Sequence, residues 1–220
     1  MTTLVISPHP DDETLGCAGT ILKRKDQGDS VGWLIITAIS EELGWSEQEV
    51  EDRNQQVTSV RKALSIDTYF DLGFPPSQLE TVPMMELVES ISKVVREFQP
   101  EEVLVPYGAD VHSDHRVVSM AVASCVKWFR SGSVSRVLAY EVLSETDQTL
   151  DSTAGFQPTY FVDISDYIDQ KLNILELYST EIDEFPFPRS RDAVAALAKV
   201  RGTASGFRAA EAYSLLRARE

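Results

Sequence analysis

The sequence predicts an open, doubly wound α/β fold, a mostly parallel sheet with helices on both faces. Three observations lead there. Apolar runs of strand length alternate with segments of helical periodicity from the N-terminus to about residue 143. Capping and turn residues fall between them. The 220 residues suit one sizeable core, and a composition 43% hydrophobic and 25% charged is that of an ordinary globular chain. No repeat, low-complexity tract or linker divides the sequence, so a single domain over 1–220 is expected, with an elaboration after about residue 143.

The elements follow in order. TLVIS (3–7) is a short apolar run ending in turn residues, a buried strand. Residues 13–27 space Leu15, Ala18, Ile21 and Leu22 as a helix face and stop at Gly28, suited to the C′ position. VGWLIIT (31–37) completes a βαβ unit, whose strands should be parallel and whose crossover should be right-handed. Ser46 and Glu49 fit a capping box opening a helix to about Leu64. DTYFDL (67–72) is a third strand, and Pro83 suits the N1 position of a helix carrying Leu87, Ile91, Val94, Val95 and Phe98. EEVLVP (101–106) is a fourth strand. A polar loop then enters a helix expected to reach about Arg130, followed by VLAYEV (137–142). Beyond this, FVDI (161–164), a helix over 166–179, the loop EFPFPRS (184–190) and a helix from about Asp192 elaborate one sheet edge. The terminal AEAYSLL (210–216) is compatible with a strand or a short helix.

Composition narrows the function. A net charge of −15 lacks the positive footprint of a generic nucleic-acid binder. No apolar run approaches bilayer length, so no transmembrane segment is expected. MTTLVISPHPDD has neither a basic n-region nor a small-residue cleavage site, and Cys17 and Cys125 each sit inside an apolar helical pattern. A cytoplasmic location with two buried, unbridged thiols is therefore expected. Residues 189–220 hold seven Lys or Arg against three Asp or Glu, which reads as a basic surface or as a site for a substrate phosphate.

In open parallel sheets the working site lies beyond the C-terminal ends of the strands. SPHPDDE (7–13) follows the first strand and PYGADVHSDHR (106–116) the fourth. All three histidines, His9, His112 and His115, lie in these two loops, interleaved with Asp11, Asp12, Asp110 and Asp114. Two imidazoles and one carboxylate suit a catalytic zinc, which keeps a position open for water. His9 and Asp12 are three apart and can fold onto one cation; of His112 and His115, also three apart, one can ligate while the other faces the open position. Iron(II) or another divalent ion would also accept such a set. Neither a dinucleotide-binding G-x-G-x-x-G after the first strand, nor a Walker A motif, nor a G-x-S-x-G elbow occurs.

The HPDDE loop, paired with HSDH (112–115), resembles the LmbE-like (PIG-L) zinc-dependent N-deacetylases. LGF-P after the third strand, PRS (188–190), and RG followed by GF-x-AAEAY (201–213) extend that resemblance along most of the chain. The resemblance implies a Rossmann-like fold, one zinc per chain, and removal of the acetyl group from an N-acetylglucosamine conjugate, a small-molecule partner. It implies His9, Asp12 and His115 as metal ligands, Asp11 as base, and His112 as the residue stabilising the transition state, oriented by Asp114. In that role a protonated His112 is expected, its pKa raised by Asp114. Arg53 falls where the family has a sugar-binding arginine, and Pro76 stands where the family often has an aspartate contacting sugar hydroxyls. Whether Asp11 or His112 protonates the departing amine stays open, as do the aglycone and the choice between a monomer and a homo-oligomer. An amidase for a larger acyl group or thiol conjugate, and a metal-dependent sugar binder without turnover, are the rival readings. Glu13 is expected to favour the helix dipole from the first turn rather than to tune the metal loop, and Trp45 either stacks on a sugar or staples the helix after Ser46.

Overall fold

Alternation between apolar strands and helices folds into a single seven-stranded sheet covered on both faces. The computed structural model describes residues 1–150 and 153–220. In chain order the elements are β1 (Thr2–Ser7), α1 (Asp12–Asp26), β2 (Ser30–Thr37), α2 (Glu47–Ala63), β3 (Thr68–Phe74), α3 (Met84–Phe98), β4 (Glu102–Pro106), α4 (Ser113–Cys125) and β5 (Arg136–Tyr140). They continue with β6 (Tyr160–Asp163), α5 (Ile168–Leu175), α6 (Arg191–Ser205) and β7 (Ala210–Ala218). The strand order is β3-β2-β1-β4-β5-β7-β6. The first five strands are parallel, and β7 runs antiparallel to both β5 and β6.

Strand side chains alternate between two cores. Val5, Trp33, Ile35 and Leu104 pack with α1, α2, α5 and α6. Leu4, Ile6, Leu34, Val103 and Val105 pack with α3 and α4. Because both faces are covered, the central strands read as continuous apolar runs in the sequence.

The departures from expectation have local causes. Pro83 is the N-cap of α3, one place before the expected N1 position. The helix after β4 stops at Cys125 rather than near Arg130, because the Ser131 hydroxyl donates to the Cys125 carbonyl at 2.9 Å and a turn follows. The helix expected over 166–179 is shorter. After α5 the chain tightens into turns, with Leu177 N donating to Ile174 O and Tyr178 N to Leu175 O, both at 3.0 Å. The terminal segment is the strand β7, inserted between β5 and β6, after Gly206 at φ 81° ends α6. The capping box at Ser46 and Glu49 forms as expected, and Cys17 and Cys125 are buried and unbridged. Among the described residues, no helix is long and apolar enough to cross a membrane.

Gly16 shows how closely α1 lies on the sheet. A Cβ there would sit 2.9 Å from Cγ of Tyr140, whose buried ring is pinned by its hydroxyl donating to Ile6 O at 2.8 Å. Gly16→Ala is expected to lower stability by about 1–3 kcal/mol, the usual cost of overpacking. Chemical denaturation checks this, and an unchanged midpoint would refute the packing account.

Candidate active site

β1 pairs with β2 on one side and β4 on the other. The helices that follow β1 and β4 leave to opposite faces, α1 into one core and α4 into the other. A crevice opens between the ends of the two strands, as such switch points require. Both histidine-bearing loops enter it.

The first loop is tied down at several points. The Pro8 carbonyl accepts from Thr37 N at 3.0 Å and from Thr37 Oγ1 at 2.8 Å. His9 N donates to Asp12 Oδ2 at 2.8 Å, folding the loop back on itself. Asp11, at φ 125° and ψ −30°, occupies a region a side-chain-bearing residue rarely adopts. Such strain costs on the order of 1–3 kcal/mol and persists only where the surroundings enforce it. Here Asp11 O accepts from Thr14 N and Leu15 N, each at 2.9 Å, and Asp11 N donates to Glu13 Oε2 at 3.1 Å.

Glu13 is therefore not a solvated first-turn carboxylate. It is fully buried and also accepts from Thr14 Oγ1 at 2.6 Å and Tyr178 Oη at 3.0 Å. Burial pushes it up to about 7. It braces the loop from behind, which corrects the helix-dipole expectation.

His9, Asp12 and His115 come together, with one donor atom from each lying within 4.8 Å of the others. Asp12 Oδ2 is 3.4 Å from His9 Nδ1, and Asp12 Oδ1 is 3.3 Å from His115 Nε2. Two imidazoles and a carboxylate gathered this closely suit a zinc-like ion that keeps a further position open. The other face of His115 is occupied, Nδ1 lying 2.8 Å from Asp110 Oδ2. A carboxylate so placed would fix the tautomer of His115 were its other nitrogen to bind a metal. In the metal-free chain the two histidines hold protons. Burial alone would lower His9, but its contacts with Asp114 and Asp12 push it up to about 9. Burial likewise opposes His115, while Asp12 and Asp110 raise it to about 10. Burial would raise Asp12, yet the His115 charge and hydrogen bonds from both imidazoles hold it well below the usual carboxylate range.

His112 departs from expectation. Its Nδ1 accepts the backbone N–H of Asp114 at 3.1 Å. The Asp114 carboxylate is engaged with His9 Nε2 at 2.9 Å, Ser77 N at 2.7 Å and Leu79 N at 3.1 Å. Burial, followed by the charges of His9 and His115, lowers His112 to about 4. The expected protonated His112, raised by the Asp114 carboxylate, is replaced by a neutral imidazole whose Nε2 carries the proton. Asp114 orients it through the backbone instead. A second grouping of donor atoms, His9, His112 and Asp114, also lies within 4.8 Å.

Asp11 is 5% exposed and reaches the same cleft, with Oδ2 3.0 Å from Arg189 Nη1. Burial, then the Asp12 charge, push it up to about 8 against the pull of Arg189. The cleft has a volume of about 480 Å³, within the range of small-molecule sites. Arg53 lines it, donating to Pro10 O at 3.1 Å and pairing with Glu181. Trp45, 42% exposed, lines it as well, together with Leu43 and Ile39. Pro76 lines it too, with a side chain that can form no hydrogen bond to a sugar hydroxyl. Tyr178, Glu181 and Arg189 are the contributors that sequence reasoning did not assign. Arg189 had a signal in the PRS motif, whereas Tyr178 and Glu181 had none.

A family profile described as PIG-L, GlcNAc-PI de-N-acetylase, matches residues 4–126. The chain belongs to the PIG-L family. Its relatives include a diacetylchitobiose deacetylase of Thermococcus kodakarensis, 28% identical over 225 aligned residues covering 94% of this chain and 80% of that protein. Among solved structures, a conserved protein from Thermus thermophilus superimposes with a TM-score of 0.78 at 28% identity, covering 99% of this chain and 96% of that one. An N,N′-diacetylchitobiose deacetylase from Pyrococcus horikoshii gives the same TM-score at 22% identity over 98% of this chain and 84% of that one, a likeness of fold. The Rossmann-like architecture of this PIG-L family member is thus shared with a known deacetylase.

Two outcomes are expected. Zinc binding at pH 7 should release about two protons, from His9 and His115, so affinity should rise with pH until their raised values of about 9 and 10 are passed. Calorimetry in buffers of different ionisation heat reads this, and a release near zero would refute it. Asp110→Asn should weaken zinc binding by about 10–100-fold in chelator competition, the usual effect of removing an outer carboxylate.

Proposed function

We propose that this chain is a metal-dependent N-deacetylase that hydrolyses the acetamide of an N-acetylated amino-sugar conjugate. The observation that carries the reading is the cluster of His9, Asp12 and His115 beside the unligated carboxylate of Asp11. The deacetylase activity of the Thermococcus kodakarensis relative points to the same bond class. His9, Asp12 and His115 would hold the ion. Zinc bound there would polarise the amide carbonyl and lower the pKa of water towards about 7; iron(II) suits the same donors.

The chain's own groups do the rest. Asp11, raised in the metal-free chain and lowered again by a cation held beside it, takes a proton as water attacks the carbonyl carbon and returns it to the departing amine. The C–N bond breaks, leaving acetate and the free amine. His112, with Nδ1 occupied, presents Nε2–H as a hydrogen-bond donor to the developing oxyanion. Arg189 holds the Asp11 carboxylate in place through its 3.0 Å contact. Arg53 and Trp45 supply a polar and an aromatic wall for the sugar.

Acetate release from N,N′-diacetylchitobiose tests this, using wild type and Asp11→Ala at equal metal content. Wild type should turn over, and the variant should fall by at least about 10²-fold, the usual worth of a general acid–base group. No release from metal-loaded wild type, or equal release from both proteins, would overturn the proposal.

A further inference from the structure

The cleft wall beside Asp11 carries a chain of charges. Arg53 and Arg189 are its lining guanidinium groups, and Glu181 stands between them. Glu181 Oε1 pairs with Arg53 Nη2, while Oε2 lies 3.5 Å from Arg189 Nη1. Arg189 Nη1 is also 3.0 Å from Asp11 Oδ2. Both guanidiniums are thus committed to carboxylates before any substrate arrives.

Glu145 lines the same cleft, and among the described residues no cation pairs with its carboxylate. Of the four lining carboxylates, Asp12 is engaged by the His9 and His115 imidazoles and Asp11 and Glu181 by the two guanidiniums, which leaves Glu145 as the uncompensated negative charge. Arg189 is the basic residue of the C-terminal segment that lines the cleft. Arg191 pairs with Glu176 at 2.8 Å, Arg201 Nε with Glu141 at 2.7 Å, and Arg219 donates to the Gly132 and Val134 carbonyls.

We infer that Glu181 is a specificity-determining residue. By occupying Arg53 and Arg189 it closes the cleft to conjugates bearing a phosphate or carboxylate and reserves it for neutral or cationic amino-sugar conjugates. An anion entering here must either displace Glu181 from two partly buried ion pairs or lie unpaired near Glu145 and Glu181. Both are repulsive elements of the kind that set specificity. The inference deepens the proposed function and rests on the cleft being the sugar site.

Glu181→Gln keeps the side chain's size while removing the charge, which frees the Arg53 guanidinium for anion recognition and leaves Arg189 with Asp11 as its remaining carboxylate partner. The test compares kcat/KM for acetate release from N,N′-diacetylchitobiose and N-acetylglucosamine 1-phosphate, with zinc-loaded wild type and variant. Wild type should favour the neutral sugar by about tenfold or more, and the variant should shrink that preference by about tenfold, the effect of one charge-assisted contact. An unchanged ratio, or a wild type that favours the phosphate, would overturn the inference. Calorimetric binding of methyl α-D-glucoside and α-D-glucose 1-phosphate, which carry no acetyl group, decides the same point without turnover. Relative affinity for the phosphate should rise in the variant, and an unchanged ratio counts against Glu181. If binding shifts as expected but neither protein releases acetate, the proposed function falls and the charge selectivity stands. Glu181→Ala replaces the glutamine variant should the latter fail to fold, with the same expected direction.

Discussion

The working edge of this protein depends on one buried carboxylate, Asp12. It accepts the His9 backbone N–H at 2.8 Å and faces an imidazole nitrogen with each oxygen, at 3.3 and 3.4 Å. Burial by itself would neutralise such a group; the two histidines keep it charged. The same carboxylate raises both histidines, so the three groups stabilise one another's ionised forms at a place where water is largely excluded. Asp110 and Asp114 extend the arrangement outward, one on His115 and one on His9. Through Asp114, which accepts from Ser77 N and Leu79 N, the loop after β3 is drawn to the same point.

The loop holding Asp12 is strained at its neighbour, and the strain is contained by the C-terminal third of the chain. Asp11 keeps its positive φ because Glu13 accepts its N–H, and Glu13 in turn is held by Tyr178 from the turn after α5. That turn also delivers Glu181, and the following loop delivers Arg189 to Asp11. The segment after residue 143 is thus more than an elaborated sheet edge. It supplies the back wall of the loop and the polar wall of the cleft.

Charge is distributed by pairing rather than by region. The net −15 is not spread as a uniform field, and within residues 189–220 Arg201 pairs with Glu141 and Arg191 with Glu176. A local count of charges describes the chain, while each side chain's partner describes the surface a ligand meets.

The sequence by itself determined the alternation of strands and helices, the capping box at Ser46, and the two loops that hold every histidine. These features depend on residues within a few positions of one another, where periodicity, capping and strand-end placement act. It also placed both histidine loops at one edge of the sheet, where the resemblance to the PIG-L family implied His9, Asp12 and His115 as the ligand set. Tertiary structure alone decided the rest. The terminal AEAYSLL became a strand because it lies between β5 and β6, a choice its buried apolar half left open. His112 is neutral because its ring nitrogen meets a backbone N–H rather than the Asp114 carboxylate. Glu13 became a brace because Tyr178, 165 residues away, fills the space beside it. Arg189 meets Asp11 across 178 residues of chain. No local pattern encodes such pairings, since they form only when helices on one face of the sheet pack to a common depth.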